Sequence, residues 1–535
     1  MATIEARPEF LRHQPLVNNV LLIGPQNGYY TGFQGLVLTE PLGLEFVAGA
    51  ITPLVKDVQI HDDRIKPNGW KEKVNKNPPD IIGISCNYTA DVPTVRNLAR
   101  SVRDEVGKET PIVIGGHHIS LRPEDMFIPE VSAVVIGPGE IPFQNVVRAW
   151  GEKRSLERVP NIWYQNKEGE FISNVPPLEI SPKFTYNSEF MNERPTPRRD
   201  LVTAYRDGYY FLYYPDPYSV ETARGCRFRC SFCSVWNFHG GEYDVESSNR
   251  TVQEIASLGE KAKYVNLIDD LAFTDIDAAK ETADELLLLG IKNRYWAQIR
   301  ADNVWPKDPT KRLEHQKTFE LLAKAGLDMV LVGLESFDPK ELKRVNKGST
   351  VKQNVEAVKF LRSIGVKIWA AQIVFPNWTV EDFDRAIAIN QELGVECPQF
   401  TILTPLPGTP DYDNAKKEGQ LTTEDPGKYD FFHWVVPTIL PPEEMYRQIA
   451  RLYRETSPFA KRPDGKPVSI RESIKHIKSI KEDIAEGRTT PEAVEEFTRR
   501  FKGLQDEQEH LAHLAQSALR VGRSEEKIIF DAENR

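Results

Sequence analysis

Cysteine is scarce in this sequence, with five residues in a chain of 535. So few thiols cannot form the dense disulfide framework of small secreted domains. Cys86 and Cys397 stand alone, whereas Cys226, Cys230 and Cys233 form a Cys-x3-Cys-x2-Cys pattern. The three clustered cysteines are therefore the first candidates for chemistry.

The sequence also lacks a surplus of positive charge and long apolar runs. The formal net charge is -10, and binding to a nucleic-acid backbone requires a surplus of Lys and Arg. No run approaches the roughly 18 consecutive apolar residues of a membrane-spanning helix, and the opening MATIEARPEFLRHQP has no apolar signal core. We expect no nucleic-acid partner, no membrane span and a cytoplasmic location.

What the chain has is the composition of a soluble globular protein, with 40% hydrophobic and 27% charged residues. Its length predicts two or three domains. In the first part, short Val- and Ile-rich runs alternate with helix-like stretches at 42–55 and 93–107, which indicates a parallel sheet covered on both faces. Such a doubly wound α/β domain binds its ligands at the carboxyl ends of the strands. The predicted strands are 17–25, 57–62, 80–86, 111–116 and 132–137.

Three loops that follow these strands are rich in glycine: GPQNGYYTGFQG (24–35), GGHHISLRPED (115–125) and GPGE (137–140). Paired glycines let a backbone approach a bulky ligand, although each loop alone could be a tight turn. Together with the apolar helix that starts at PLGLEF (41–46), the loops resemble the cobalamin-binding domain of cobalamin-dependent radical S-adenosylmethionine (SAM) enzymes, over residues 17–150. The cobalamin contacts that this resemblance implies are Gly115, Gly116, His117, Ser120, Gly137, Gly139 and Glu140.

One part of the cobalamin pattern is absent. Many cobalamin proteins supply an axial His to the cobalt from an Asp-x-His-x-x-Gly motif after the first strand, and this sequence has no such motif. The resemblance therefore implies a cobalt without that ligand. His117 and His118 do not match the motif, and we interpret them as loop histidines beside the ligand or at the surface.

The stretch 151–217 is interpreted as a connector. RVPNIWYQNKEGEFISN (158–174) has two strand-like runs around an Asn-Lys-Glu-Gly turn, which predicts a hairpin. DGYYFLYYPDPYS (207–219) is crowded with aromatic residues. We interpret it as a wedge between two domains, with a wall of the substrate site as the alternative.

A second alternation of strands and helices begins near residue 218. Its six βα units predict a partial TIM-like barrel, in which the chemistry lies at the carboxyl ends of the strands. The predicted strands are 218–224, 264–270, 295–301, 329–336, 367–375 and 399–405, and the helices are about 251–262, 275–289, 315–326, 350–364 and 380–394.

The cysteine cluster directly follows the first barrel strand, in TARGCRFRCSFCSVWNFHGG (222–241). Three neighbouring thiolates suit an iron–sulfur cluster or a zinc ion, for which His239 could be a fourth ligand. In a [4Fe–4S] cubane, three cysteines leave one iron without a protein ligand.

This pattern resembles the cluster loop of the radical SAM superfamily, in which SAM chelates the open iron. The resemblance implies that Cys226, Cys230 and Cys233 bind the cluster and that the backbone of Phe232 meets the adenine of SAM.

Three further stretches resemble cobalamin-dependent members: NLIDDLAF (266–273), VGLES with LKRVNKG (332–348) and TPLPGTPDYD (404–413). A satisfied polar network inside the barrel is the alternative for each polar residue there. The SAM-pocket candidates implied by the resemblance are Asp270, Arg300, Glu335 and Gln372.

The expected architecture is a cobalamin-binding α/β domain, a partial (βα)6 barrel and a helical C-terminal domain. The C-terminal helices are interpreted as an appendage packed on the barrel, with a substrate or partner contact as the alternative. The predicted divisions are a tail at 1–16, the cobalamin domain at 17–150, the linker at 151–217, the barrel at 218–425 and the helical domain at 426–535.

The resemblance implies an enzyme that cleaves SAM to a 5′-deoxyadenosyl radical and transfers a methyl group from methylcobalamin to an unactivated carbon. The expected substrate is small or lipid-like, and flavodoxin or ferredoxin is the expected electron donor. No residue is assigned a catalytic role. The alternatives are an oxidative cyclase like the anaerobic porphyrin cyclases and, in another class, a non-catalytic cobalamin sensor.

Overall fold

The computed structural model describes residues 14–26, 36–176, 188–456 and 480–521. Residues 27–35, which make up most of the first Gly-rich loop, lie outside the described residues. So do most of the tail predicted at 1–16 and two stretches of the region predicted to be a helical C-terminal domain, 457–479 and 522–535.

The N-terminal part is a mainly parallel sheet covered by helices. Its strands are β1 (Val17–Gly24), β3 (Val55–Asp62), β4 (Ile81–Ser85), β5 (Ile112–Gly115), β6 (Ala133–Val135), β7 (Ile162–Gln165) and β8 (Phe171–Ser173), while the short β2 (Val37–Leu38) lies outside this sheet. Its helices are α1 (Leu42–Ile51), α2 (Trp70–Lys76), α3 (Val92–Val106), α4 (His117–Leu121) and α5 (Glu140–Gly151). The strand order is β3-β1-β4-β5-β6-β7-β8, and the first five of these are parallel.

Both faces of this sheet are buried, which confirms the doubly wound arrangement. Successive strand residues point to opposite faces, so Leu22 of β1 packs in one core with α1 and α5, while Leu21 packs in another with α2 and α3. The predicted hairpin is present as β7 and β8. It does not belong to the connector but pairs antiparallel with β6 and extends the sheet.

The second part is a six-unit partial barrel with the C-terminal helices beside it. Its strands are β9 (Tyr210–Phe211), β10 (Tyr214–Pro215), β11 (Tyr218–Val220), β12 (Ala223–Gly225), β13 (Tyr243–Val245), β14 (Tyr264–Leu267), β15 (Arg294–Arg300), β16 (Leu327–Glu335), β17 (Lys367–Val374) and β18 (Cys397–Ile402). Its helices are α6 (Ser188–Glu193), α7 (Val235–Phe238), α8 (Ser248–Leu258), α9 (Ile276–Leu288), α10 (Ala301–Val304), α11 (Pro309–Lys324), α12 (Pro339–Arg344), α13 (Val351–Ser363), α14 (Val380–Leu393), α15 (Pro410–Lys417), α16 (Pro442–Thr456) and α17 (Pro491–Val521). The barrel order is β11-β14-β15-β16-β17-β18, all parallel.

The first barrel strand is shorter than the predicted 218–224. It ends at Val220, because the backbone N–H groups of Thr222 and Ala223 donate to the Asp269 carboxylate (2.6 and 3.0 Å) and leave the sheet. The chain then forms β12, which pairs antiparallel with β13. The cysteine loop therefore starts from a separate two-stranded sheet.

The aromatic segment 207–219 closes the barrel at the amino ends of its strands. Tyr214 stacks on Tyr264 with ring centroids 3.8 Å apart, and Phe211 contacts Trp296 and Trp369 of the inner face. Since the cysteine loop lies at the opposite end of the strands, this segment forms the barrel floor and does not line the site described below. No helix within the described residues is long and apolar enough to span a membrane.

Candidate functional site

A cavity of about 460 Å³ lies between the two parts of the chain. One wall consists of the carboxyl ends of β1, β4, β5 and β6 with their loops, and the other is formed by the barrel. Among the implied cobalamin contacts, six line this cavity: Gly115, Gly116, His117, Gly137, Gly139 and Glu140. The barrel contributes Glu221, Arg224, Phe238, His239, Ile268 and Asp270.

Glycine is required in the cavity wall for steric reasons. Gly116 has φ +128°, and a Cβ there would lie 2.5 Å from the carbonyl oxygen of Cys86. Ser120 does not line the cavity. Its hydroxyl donates to the carbonyl of Gly116 and accepts the N–H of Gly137, both at 2.8 Å, so it ties two of the Gly-rich loops together. This concave backbone wall fits a bulky planar cofactor such as cobalamin.

The neighbouring histidines point in opposite directions. His118 is buried in its own domain, hydrogen-bonded to Thr89 (3.1 Å) and Asp125 (2.9 Å). His117 reaches across to the barrel, where it lies 2.9 Å from the Ser234 hydroxyl and stacks on Phe238. Burial lowers the pKa of His117 to about 4, so its imidazole is neutral at pH 7.

Glu140 is engaged by the barrel. Its carboxylate accepts a hydrogen bond from the Arg224 guanidinium at 2.6 Å, and both side chains are buried. Burial raises the pKa of Glu140, but the ion pair with Arg224 outweighs it, and the pKa lies below its ordinary value. The contact expected with cobalamin is therefore an interdomain ion pair in this structure.

The cysteine loop is compact. Cys230 is buried, Cys226 and Cys233 are half-buried, and the Trp236 indole donates to the Cys230 carbonyl at 2.9 Å. Burial raises the pKa of the Cys233 thiol to about 12. Such a thiol ionises only with nearby positive charge or metal.

The donor set fits an iron–sulfur cluster better than zinc. Within the described ranges, no group of three His, Cys, Asp or Glu side chains is arranged to hold a single metal ion. His239, the nominal fourth zinc ligand, pairs through Nε2 with Asp270 at 2.9 Å and does not join the three cysteines in such a group. In a cubane each thiolate binds a different iron, so three cysteines need not converge on one point.

Arg300 places a positive charge beside the cluster loop. Its guanidinium lies 3.7 Å from the Cys230 sulfur and 3.6 Å from the centre of the Phe228 ring. Asp302 accepts two further hydrogen bonds from it, at 2.9 and 3.0 Å. A fixed guanidinium favours the thiolate form of a neighbouring cysteine.

Glu335 lies at the carboxyl end of β16 and is paired with Lys347 at 2.7 Å. Gly333 makes room for this ion pair, since a Cβ there would lie 2.8 Å from both the Glu335 carboxylate and the Lys347 ammonium. Lys347 in turn accepts a hydrogen bond from Arg300 at its carbonyl. The two SAM-pocket candidates thus belong to one connected network.

Asp270 connects the cluster loop to the cavity. It accepts a hydrogen bond from the N–H of Gly225 at 2.8 Å, just before Cys226, and it lines the cavity beside His239. Burial raises the pKa of Asp270, but the hydrogen bond and charge of His239, together with the backbone hydrogen bond from Gly225, outweigh it, so the pKa lies below its ordinary value. The group is therefore an ionised carboxylate at neutral pH.

The remaining two candidates differ from each other. Phe232 is half-buried and packs against the aromatic interior of the barrel. Gln372 does not join the site, because its amide is bonded on both atoms to Asn390 of α14, at 2.7 and 3.0 Å, on the outer side of β17. Its amide thus faces α14 and not the cavity, so the structure gives no support to Gln372 as a SAM contact.

Three residues that the structure places in these contacts were not among the predicted site residues: Arg224, Ser234 and Lys347. Arg224 stands in the stretch TARGC directly before the first cluster cysteine, and Lys347 in LKRVNKG. A charged residue next to a buried strand end is a weak signal that it has a partner. The identity of that partner is set by the fold.

The chain matches two family models: the B12 binding domain over residues 36–147 and the Radical SAM superfamily over residues 220–389. It is 29% identical over 420 residues to a hopanoid C-3 methylase of Methylococcus capsulatus, which covers 77% of this chain and 75% of the relative. It is 26% identical over 416 residues to an anaerobic magnesium-protoporphyrin IX monomethyl ester cyclase of Rubrivivax gelatinosus, covering 75% and 68%.

Two solved structures share the fold. The cobalamin-dependent SAM radical enzyme OxsB, with aqua-cobalamin and SAM bound, aligns with a TM-score of 0.66 at 18% identity, covering 87% of this chain and 71% of that one. The radical SAM methyltransferase TsrM of Kitasatospora setae, with cobalamin and a [4Fe–4S] cluster bound, aligns with a TM-score of 0.64 at 18% identity, covering 93% and 99%. The two-part architecture is therefore that of cobalamin-dependent radical SAM enzymes.

Proposed function

Starting from a chain that is a radical SAM enzyme with a B12-binding domain, we propose that it is a C-methyltransferase, which methylates an unactivated carbon of a small or lipid-like substrate. The observation that carries the proposal is the cavity between the two parts. It brings the Gly-rich loops of one domain within contact of the cysteine loop of the other. A substrate in this cavity would lie between the Gly-rich loops and Asp270, the proposed SAM contact that lines it.

We propose residues for each group from the resemblance, and the geometry described above supports them. When bound, the cluster and SAM supply a radical, and methylcobalamin supplies the methyl group. The proposed cluster ligands are Cys226, Cys230 and Cys233. The proposed SAM contacts are Phe232, Asp270, Arg300 and Glu335, and the proposed cobalamin contacts are Gly115, Gly116, His117, Gly137 and Gly139.

The chain's own contribution is to enclose the bound groups, to orient them and to hold charged side chains beside them. Arg300 holds a positive charge 3.7 Å from Cys230, which offsets negative charge at the cluster. Asp270 stays ionised and offers a carboxylate to a cationic amino group. The two walls of the cavity would cover bound groups from both sides and so reduce their contact with water, which protects a radical from side reactions.

The substrate class is proposed from the relatives. The hopanoid C-3 methylase acts on a lipid by its name, and its match covers most of both chains. A bacteriochlorophyllide d C-8(2)-methyltransferase of Chlorobaculum tepidum, 25% identical over 407 residues, acts on a large tetrapyrrole. We propose a cytoplasmic enzyme that is reduced by flavodoxin or ferredoxin.

The proposal is tested by the fate of SAM. The reconstituted chain should consume two SAM molecules per product, one giving 5′-deoxyadenosine and one giving S-adenosylhomocysteine. With methyl-labelled SAM, the label should reach the product, as measured by mass spectrometry of extracts from a deletion strain supplied to the enzyme. Near-equal amounts of the two by-products support methylation.

A second candidate function is oxidative cyclisation, which the match to the magnesium-protoporphyrin cyclase favours. It shares both cofactor sites but needs no methyl donor. 5′-Deoxyadenosine without S-adenosylhomocysteine would replace methylation by cyclisation. Absence of SAM cleavage in cluster-loaded protein would instead indicate a cobalamin sensor.

A further inference from the structure

Two contacts join the cobalamin loops to the two ends of the cysteine loop. His117 lies 2.9 Å from the hydroxyl of Ser234, the residue directly after Cys233. Glu140 accepts a hydrogen bond at 2.6 Å from Arg224, two residues before Cys226. We name this pair of contacts, His117–Ser234 and Glu140–Arg224, the loop clamp.

Each half of the loop clamp is reinforced by an aromatic ring. His117 stacks on Phe238 with ring centroids 4.5 Å apart and an interplanar angle of 28°. The Arg224 guanidinium lies 5.7 Å from the centre of the Phe46 ring, which belongs to α1 of the N-terminal domain. Arg224 is also paired with Glu221 at 2.8 Å, so loss of the Glu140 charge would leave this buried guanidinium with one carboxylate in place of two, which is costly.

His117 and Glu140 belong to the N-terminal domain but bond to the barrel. His118, the next residue, satisfies both ring nitrogens within its own domain. Glu140 stands at the start of α5, where a carboxylate could simply cap the helix. Both His117 and Glu140 lie in the loops that resemble the cobalamin site, yet both bond to the barrel.

We propose that His117 and Glu140 are positioning residues that hold the cysteine loop at a fixed place against the cobalamin site. The inference rests on the proposed function, which places a cofactor on each side. In this proposal the loop clamp, which lies beside the cavity, sets the distance between the two cofactors. The connector between the domains is farther away and affects that distance only indirectly. A displacement of about 1 Å between reacting groups can cost about a hundredfold in rate, so such a device has a purpose.

The first test needs no cofactor. In hydrogen exchange measured by mass spectrometry on the full chain without cluster or cobalamin, His117→Ala should speed exchange of amides in residues 224–240 by about fivefold, the effect of one lost hydrogen bond. Glu140→Gln should speed it by tenfold or more, because Arg224 loses a charged partner. His117→Phe, which keeps the ring, and the gentler Ser234→Ala should give smaller increases in the same peptides.

Matched controls separate the loop clamp from general loosening. His118→Asn alters the neighbouring histidine, and Glu396→Gln removes an ion pair with Arg362 away from the cavity. Neither should change exchange in 224–240. Unchanged exchange there in both His117→Ala and Glu140→Gln, or equal changes in the controls, would overturn the inference.

The second test measures geometry in protein loaded with cob(II)alamin and the reduced cluster. A fast-relaxing cluster shortens the electron spin relaxation of a nearby cob(II)alamin, and the effect decreases steeply with distance. His117→Ala and Glu140→Gln should weaken this enhancement at least twofold in the fraction of the protein that carries both cofactors. An enhancement equal to that of the unmodified chain in both variants would also overturn the inference. If the unmodified chain binds no cobalamin but the exchange result holds, the proposed function fails and the loop clamp remains.

Discussion

Single charged residues around the cysteine loop are paired, and the pairing determines what each can do. Arg300 is held by Asp302, and Asp270 by His239. A buried charge is tolerated only with such a partner. A polar strand residue can therefore belong to a structural network and also contact SAM. The network fixes the position of its side chain, which holds any remaining hydrogen-bonding atoms in place for SAM.

The first prediction concerns the cysteines. Anaerobic reconstitution should load about four irons, the content of one cubane. Replacing Cys226, Cys230 and Cys233 together by Ala should abolish the iron content, the brown absorption and 5′-deoxyadenosine formation. Cys86 and Cys397 are buried away from the loop, so replacing both by Ala should keep the iron content. Full iron in the triple variant, measured by a colorimetric assay, would show that the cluster is elsewhere.

The second prediction concerns Gly333. An Ala side chain there would lie 2.8 Å from both the Glu335 carboxylate and the Lys347 ammonium and must push their ion pair aside. Gly333→Ala should therefore weaken SAM binding by about tenfold, the usual cost of disturbing a charged hydrogen bond. Equilibrium dialysis of cluster-loaded protein with labelled SAM measures the effect. Unchanged affinity would remove Glu335 from the SAM contacts.

At the scale of elements, strands were predictable but the direction of their side chains was not. The run KIWAAQIVF indicates β17 because it is apolar and β-branched. A strand covered on both faces lacks the polar and apolar alternation that would show which residues face inward. Gln372 was therefore placed in the site from resemblance alone, whereas its strand turns it toward Asn390.

Contacts between side chains on different elements could not be predicted from the sequence either. The cysteine spacing and the paired glycines are local patterns, so the sequence contains them in full. Arg224 and Glu140 are 84 residues apart and meet only because two domains pack together. His239 and Asp270 are likewise brought together, at 2.9 Å, only by the folding of the barrel.

The third prediction concerns the Gly-rich loop after β5. Gly116→Ala would bring a Cβ to 2.5 Å from the Cys86 carbonyl at a positive φ, so the loop must move and cobalamin binding should be lost. Gly107 also has a positive φ of 72° but an open surrounding. Gly107→Ala should cost about 1 kcal/mol of stability and no binding. Absorption spectra after reconstitution compare the two, and equal cobalamin loading would contradict the close-approach argument.

The fourth prediction concerns the same loops and the cobalt. The sequence has no Asp-x-His-x-x-Gly motif, and both ring nitrogens of His118 are already bonded, to Thr89 and Asp125. His117 is turned toward the barrel, where its Nε2 lies 2.9 Å from the Ser234 hydroxyl. The electron paramagnetic resonance spectrum of bound cob(II)alamin should therefore lack the nitrogen splitting of an axial imidazole. A splitting that disappears in His117→Ala or His118→Asn would contradict this expectation.

At the scale of the whole molecule, the C-terminal region completes the barrel floor. Lys367, at the start of β17, donates to Asp328 of β16 (3.2 Å), to Asp483 of the C-terminal region (2.8 Å) and to Tyr214 of the aromatic segment (2.7 Å). Burial alone would lower the pKa of Lys367, but Tyr213, Asp328 and Asp483 raise it above its ordinary value. One ammonium therefore links three separate parts of the chain.

The last prediction follows from that link. Lys367→Met would leave the buried Asp328 without its counter-charge and Asp483 with Arg488 as its remaining partner, which should lower the free energy of unfolding by about 3 kcal/mol. Because the floor joins the barrel to the C-terminal helices, both should lose structure at lower denaturant concentration, as followed by far-ultraviolet circular dichroism and tryptophan fluorescence. Lys502→Met is the matched control, since that lysine forms an exposed pair with Asp506, worth about 0 to 1 kcal/mol. If the two variants unfold at the same denaturant midpoint, the ion pairs of Lys367 do not contribute to stability. The aromatic contacts of Tyr214 and Phe211 must then join the barrel to the C-terminal region.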